Sequence, residues 1–146
     1  MREIIFRGKK DDDEWVYGSF CMDALEQFNG LCGVDGFIRL YDKAKGKMQT
    51  YEVDRETIGQ YTGLKDKDGK RIFEGDIVAQ NWYDYDEPRD DSFGKVVFCE
   101  YDCSFSVMDV NKDGFMPLGR CGSYHWEVEV IGNIHDNKLE DFDNGR

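Results

Sequence analysis

The residues best equipped for chemistry in this sequence are Cys99, Cys103, Cys121, His125 and His135. Cys99 and Cys103 stand four apart, as do Cys121 and His125. A Cys₃His or Cys₂His₂ zinc shell is conceivable if the two segments meet in space. No CxxC pair accompanies them, so the spacing lacks the signature of a structural zinc site. Cys99 serves equally well as a small buried apolar residue in a strand. The same side chains raise thiol catalysis, with Cys103 or Cys121 as nucleophile and His125 as base, an arrangement that needs the two within hydrogen-bond reach. No nucleophile signature surrounds them, and the two histidines suit strand-edge or capping positions. With Cys21 and Cys32 the cysteines number five, an odd count that fits reduced thiols rather than a disulfide framework.

A calcium loop is the next candidate. Asp109-Val110-Asn111-Lys112-Asp113-Gly114 has oxygen ligands at positions one, three and five and glycine at six, as in an EF-hand. The twelfth position, which should be a bidentate glutamate, is Arg120, a cation that opposes Ca²⁺. Asp66-Lys67-Asp68-Gly69 is weaker, because Leu64 and Gly75 fall where ligands are needed. Both segments read as polar turns. No glycine-rich phosphate loop precedes a helix, which argues against P-loop nucleotide hydrolysis. We therefore expect no catalytic residue, no resident metal and no cofactor.

Binding has better support. Trp82-Tyr83-Asp84-Tyr85-Asp86-Glu87 interleaves aromatic and acidic side chains, which can meet a basic protein or a cationic ligand through cation–π contacts. The competing view is that Trp82 and Tyr83 finish the strand begun at Ile77 and pack inward. Trp82, Tyr83, Asp84, Tyr85 and Asp86 are taken as the candidate partner-binding loop. The chain holds 31 acidic residues against 19 basic ones, a net charge of −12. Such a surface repels nucleic-acid phosphates, so nucleic acid is a poor partner and a basic protein a better one.

The elements that must position these residues are strands. Aromatic and β-branched residues are plentiful, and no long 3.6-residue period is visible. Glu3–Arg7 and Trp15–Phe20 form a hairpin across the charged turn Gly8–Glu14. Met22–Phe28 allows a helical turn or two. Gly36–Tyr41 and Met48–Val53 are strands joined through Asp42–Lys47. Glu56–Val78 holds a short strand, an Asp68-Gly69 turn of the kind in which both central residues take positive φ, and a Gly75-Asp76 turn that launches a buried strand. Asp84–Asp91, acidic and interrupted by Pro88, reads as a solvated loop. Lys95–Glu100 and Phe105–Val110 form a hairpin through Tyr101–Ser104. Trp126–Val130 alternates, with Trp126, Val128 and Val130 facing a core and Glu127 and Glu129 facing water. The expected fold is all-β: a single domain over 1–146, with an N-terminal hairpin lobe over 1–55, a small SH3-like, partly open barrel over 56–135, and a polar tail over 136–146. Met1–Arg7 is too short an apolar run for a signal peptide, and no stretch approaches the ~18 apolar residues of a membrane span. The expected location is the cytoplasm.

Four blocks of this chain resemble the YopX family of phage and prophage proteins. They are Arg2–Gly8 with Trp15–Gly18; the long run Glu56–Val78; Gly94–Phe98; and Glu129–Ile134 with Asn137 and Leu139. They span nearly the whole chain in the family's order. The departures are Met22–Lys47 and Asn81–Asp91. The resemblance implies a β-dominated protein that self-associates, made in the cytoplasm of a bacterial host, with no agreed function and no recognised catalytic residues.

Three functions compete on these grounds. The first is a non-enzymatic interaction or assembly protein, acting as a homo-oligomer or on a host or phage protein. The second is an acidic DNA mimic that inhibits a host defence protein, an idea weakened by the basic residues interspersed from Lys43 to Arg71. The third is a zinc- or thiol-dependent enzyme.

Overall fold

A computed structural model of the chain describes residues 1–21, 35–84, 87–109, 114–119, 125–138 and 140–143, with 35, 82–84, 87–92, 125, 140 and 143 described by backbone alone. The all-β expectation is borne out. Ten strands run in chain order: β1 Phe6–Lys9, β2 Trp15–Cys21, β3 Asp35–Asp42, β4 Lys47–Lys65, β5 Arg71–Phe73, β6 Asp76–Asp84, β7 Glu87–Cys99, β8 Ser104–Asp109, β9 Phe115–Pro117 and β10 His125–Asn133. One helical turn, α1, spans Glu140–Asp143. The helical turns expected at Met22–Phe28 lie outside the described residues. The chain divides into two compact units, Met1–Tyr61 and Thr62–Arg146.

In the first unit β1 pairs antiparallel with both β2 and β4, and β3 pairs with β2 and β4, so the sheet turns back on itself. Val16, Ile38 and Val53 form its buried core, with Phe6, Phe20, Tyr51 and Ile58 packed around them. Close strand approach is sterically enforced at Gly18, where a Cβ would fall 2.3 Å from the Arg39 carbonyl oxygen. β4 runs well beyond the expected Met48–Val53. The polar triplet Asp54-Arg55-Glu56 is exposed and marks a β-bulge where the β1 pairing shifts register. Thr57 stabilises the bulge: its hydroxyl accepts from the Lys9 amide at 2.8 Å and donates to the Asp54 carbonyl at 2.6 Å.

In the second unit the sheet order is β10-β6-β7-β8-β9, all antiparallel. The feature that turns back on itself is thus the first unit's sheet, while in this second sheet the pairings among the described residues leave β10 and β9 at its two edges. Ile72, Val78, Val96, Val107 and Val128 make its core, flanked by Met116, Leu118, Trp126 and Val130. At roughly 1.5–3 kcal/mol for each fully buried aliphatic side chain, this cluster is the main stabilising term of the unit. The alternation at Trp126–Val130 is as expected: Val128 is buried, Trp126 and Val130 are half-buried, and Glu127 is exposed. The opposite face packs on the C-terminal segment, with Phe93 against Phe142 at 6.2 Å between ring centroids.

Two turns shape this unit. At 66–70, the Gly69 amide donates to the Asp66 carbonyl and the Asp66 amide to the Lys70 carbonyl. Gly69 alone has positive φ, at 82°, so this is a turn followed by a glycine bulge and not the two-residue form with both central φ positive. At 73–76, Gly75 takes φ 80°, its amide donates to Val96 and its carbonyl accepts from Ile134. The buried Asp76 carboxylate accepts from the Phe73 amide at 2.8 Å. Ile77 and Val78 follow, both fully buried.

Candidate functional site

The expected binding loop is largely strand. Trp82, Tyr83 and Asp84 are the last three positions of β6, and Tyr85 and Asp86 lie outside the described residues. Trp82 stands opposite Trp126 of β10 and Asp90 of β7; Tyr83 stands opposite His125 and Pro88. Within the solvated loop expected at Asp84–Asp91 the described residues are strand instead: Asp84 ends β6 and β7 has begun at Glu87. The physical reason is that ladder pairing with β6 decides the backbone, whereas acidic composition constrains only which faces meet water. Pro88, which cannot donate to a ladder, sits beside the register shift between Trp82 and Tyr83.

The same register separates two of the zinc and thiol candidates, Cys99 and Cys103, from a third, His125. Cys99 ends β7 beside Ser104, while His125 opens β10 opposite Tyr83, which pairs with Pro88 near the start of β7. Along strands rising about 3.3 Å per residue, that places Cys99 and His125 about 35 Å apart, at opposite ends of the sheet. A shell containing both is excluded, and so is a Cys103–His125 pair. Cys99 is buried and Cys103 exposed, as free thiols. Cys121 lies outside the described residues. Among the described residues no three His, Cys, Asp or Glu side chains cluster as a metal ion would require.

The calcium reading fares no better. Asp109 ends β8 and β9 begins at Phe115, so the segment joins two antiparallel strands rather than two helices. Asn111 and Asp113 lie outside the described residues. Asp66 is a structural anchor. Its carboxylate accepts from the amides of Asp68 (2.9 Å), Lys70 (2.8 Å) and Val130 (3.2 Å). Burial pushes its pKa up, but those amides and the Lys70 charge outweigh it and leave the group below its ordinary value.

Two features escaped sequence reasoning. The first is Gln80, fully buried in β6. Its Oε1 accepts from Trp126 Nε1 at 3.2 Å, and its Nε2 has no hydrogen-bond partner among the described residues. The second is the β7–β8 hairpin end. Phe98 and Phe105 stand opposite each other and pack edge-to-face at 5.3 Å, yet Phe98 remains 46% exposed. Tyr101, on the turn between them, is 96% exposed and is flanked by exposed Glu100 and Asp102. The signal was present in Phe98–Phe105, where aromatics and acids alternate without a cation, but this run reads first as an ordinary hairpin.

Charge is unequally shared. Residues 62–146 hold ten Lys or Arg against nineteen Asp or Glu, and residues 1–61 hold nine against twelve. Long-range fields therefore favour cations near the second unit. No helix among the described residues is long and apolar enough to cross a membrane.

The chain is thus all-β, two antiparallel sheets with turns pinned by the buried Asp66 and Asp76 and with Phe98 and Tyr101 exposed at the β7–β8 hairpin end. Residues 5–140 match the family model described as YopX protein, and the chain belongs to that family. Among curated proteins, none matches it.

Proposed function

We propose that this chain is a non-enzymatic interaction or assembly protein of phage or prophage origin. It works in the bacterial cytoplasm by binding a host or phage protein, alone or as a homo-oligomer. The observation that carries this reading is the concentration of negative charge in residues 62–146 together with aromatic rings held out on a rigid hairpin end. Exposed aromatics cost solubility and suit recognition, where tyrosine and other rings supply much of the binding energy. The phage setting and the self-association follow from the family resemblance. Nucleic acid is the least suitable partner for a chain of net charge −12.

Affinity capture from cells that carry the source phage or prophage, paired with native mass measurement of the purified chain, tests the reading. The expected result is a reproducible protein partner, a defined oligomer, or both. A monomer that captures no reproducible partner overturns it.

A further inference from the structure

Two turns of this protein carry acids beside aromatic rings, and they differ in how the charge is balanced. In the β1–β2 turn, Lys9 pairs with Asp13 at 2.9 Å, and Lys10 pairs with Asp12 at 3.1 Å and Glu14 at 2.5 Å. The neighbouring rings are also taken: the Arg7 guanidinium lies 4.7 Å from the Trp15 ring and the Lys10 ammonium 5.4 Å from the Tyr51 ring. Three of that turn's four acids, and both rings, are thus met from within.

At the β7–β8 end the described residues supply the same acids and rings but no cation partner. Among the described residues no cation pairs with Glu100 or Asp102. The chain holds no Lys or Arg between Lys95 and Lys112. Phe98 and Tyr101 stay exposed although Phe105 braces the first of them. Glu100 and Asp102, which have no cation partner among the described residues and of which Asp102 accepts from the Cys99 thiol at 4.0 Å, flank the exposed Tyr101 in sequence, and together they form half of a recognition pair whose other half is a planar cation. Guanidinium fits better than ammonium, because it stacks on a ring and forks a carboxylate at the same time. The Arg7 guanidinium over the Trp15 ring shows the ring half of this geometry inside the protein itself.

We propose that the β7–β8 hairpin end, through Phe98, Glu100, Tyr101 and Asp102, docks an arginine-bearing segment of a partner protein. This rests on the interaction reading above and names the partner's chemistry. β7 holds the Phe98 ring against Phe105 of β8, and the turn carries Tyr101 with the two acids.

The test uses the full chain and a fluorescein-labelled Gly-Arg-Gly-Arg-Gly-Arg peptide, with the lysine counterpart as control, followed by fluorescence anisotropy. The arginine peptide binds more tightly than the lysine peptide. Tyr101→Ser removes a ring that is almost wholly in solvent, so the fold is retained, and it weakens binding by roughly threefold to tenfold with net charge unchanged. Asp102→Asn weakens binding and flattens its salt dependence, while Asp11→Asn on the β1–β2 turn changes it less than twofold. If Tyr101→Ser has no effect, or Asp11→Asn matches Asp102→Asn, binding follows bulk charge and the docking surface is overturned; absence of binding overturns it too. Affinity capture with the Tyr101→Ser chain separates the two levels. Partners retained by that variant leave the interaction reading standing and this surface refuted, whereas a wild-type chain with neither partner nor oligomer refutes both.

Discussion

The Asp66 carboxylate accepts the backbone amide of Val130 at 3.2 Å, sixty-four residues away in sequence, while its other oxygen closes the 66–70 turn through the amides of Asp68 and Lys70. One side chain thus ties a hairpin turn to strand β10, and the Lys67 amide adds a bond to the Val128 carbonyl at 2.9 Å. Hydrogen bonds to a charged acceptor each contribute about 1.5–3 kcal/mol. Asp66→Asn turns a donor toward amides that need an acceptor, and it should destabilise the protein by about 2 kcal/mol or more in denaturant unfolding. The pH dependence has a definite sign. Folding lowers the Asp66 pKa, so its stabilisation is complete above the unfolded aspartate value of about 3.9 and is lost as pH falls through the folded value. Wild-type stability therefore falls with acidification in that window, and the Asp66→Asn variant shows a shallower slope.

Glycine positions separate steric from conformational cost. A Cβ at Gly94 would lie 2.1 Å from the Met108 carbonyl oxygen, so Gly94→Ala must push β7 off β8. At Gly69 the added Cβ meets open space, and the cost is the positive φ of 82° alone, about 1–2 kcal/mol. Thermal unfolding should rank Gly94→Ala well below Gly69→Ala, with the former failing to reach a folded state at 37 °C.

Among the described residues the Nε2 of the buried Gln80 finds no partner. Methionine fills a similar volume without that burden, and the half-buried Trp126 indole nitrogen loses one acceptor. Gln80→Met should therefore stay within about 1 kcal/mol of the wild type in urea unfolding. Gln80→Glu buries a carboxylate instead and should be clearly less stable at pH 7, recovering as acid protonates it.

Thiol exposure gives a labelling order. Cys103 lies in solvent on the β7–β8 turn, Cys21 is half-buried and donates toward the Phe37 carbonyl at 3.6 Å, and Cys99 is buried. Timed alkylation read by peptide mass spectrometry should modify Cys103 first and Cys99 only on unfolding.

Much of the fold was legible in the residues, because alternation and turn chemistry are local. Trp126–Val130 shows its inward and outward faces directly, and Gly75-Asp76 announces a tight turn before Ile77. β4 was harder: Asp54-Arg55-Glu56 looks like a break, and only its pairing with β1 makes it a bulge in one strand. The acids of 84–91 misled in the same way, since composition reports solvent contact and not ladder partners. Gln80 gives no local sign of burial at all; its setting comes from Trp126, forty-six residues on. The candidate surface was legible in kind, as aromatics beside acids. Its location was not, because exposure at Phe98 and Tyr101 depends on how the hairpin meets the rest of the unit.

The most direct test of an arginine-reading hairpin end is a ¹H–¹⁵N NMR titration of the full chain with the Gly-Arg-Gly-Arg-Gly-Arg peptide. Saturable shifts confined to residues around 98–105, and absent in the Tyr101→Ser chain, are the predicted result. Shifts scattered over the acidic surface, or centred on residues 84–87, would contradict it.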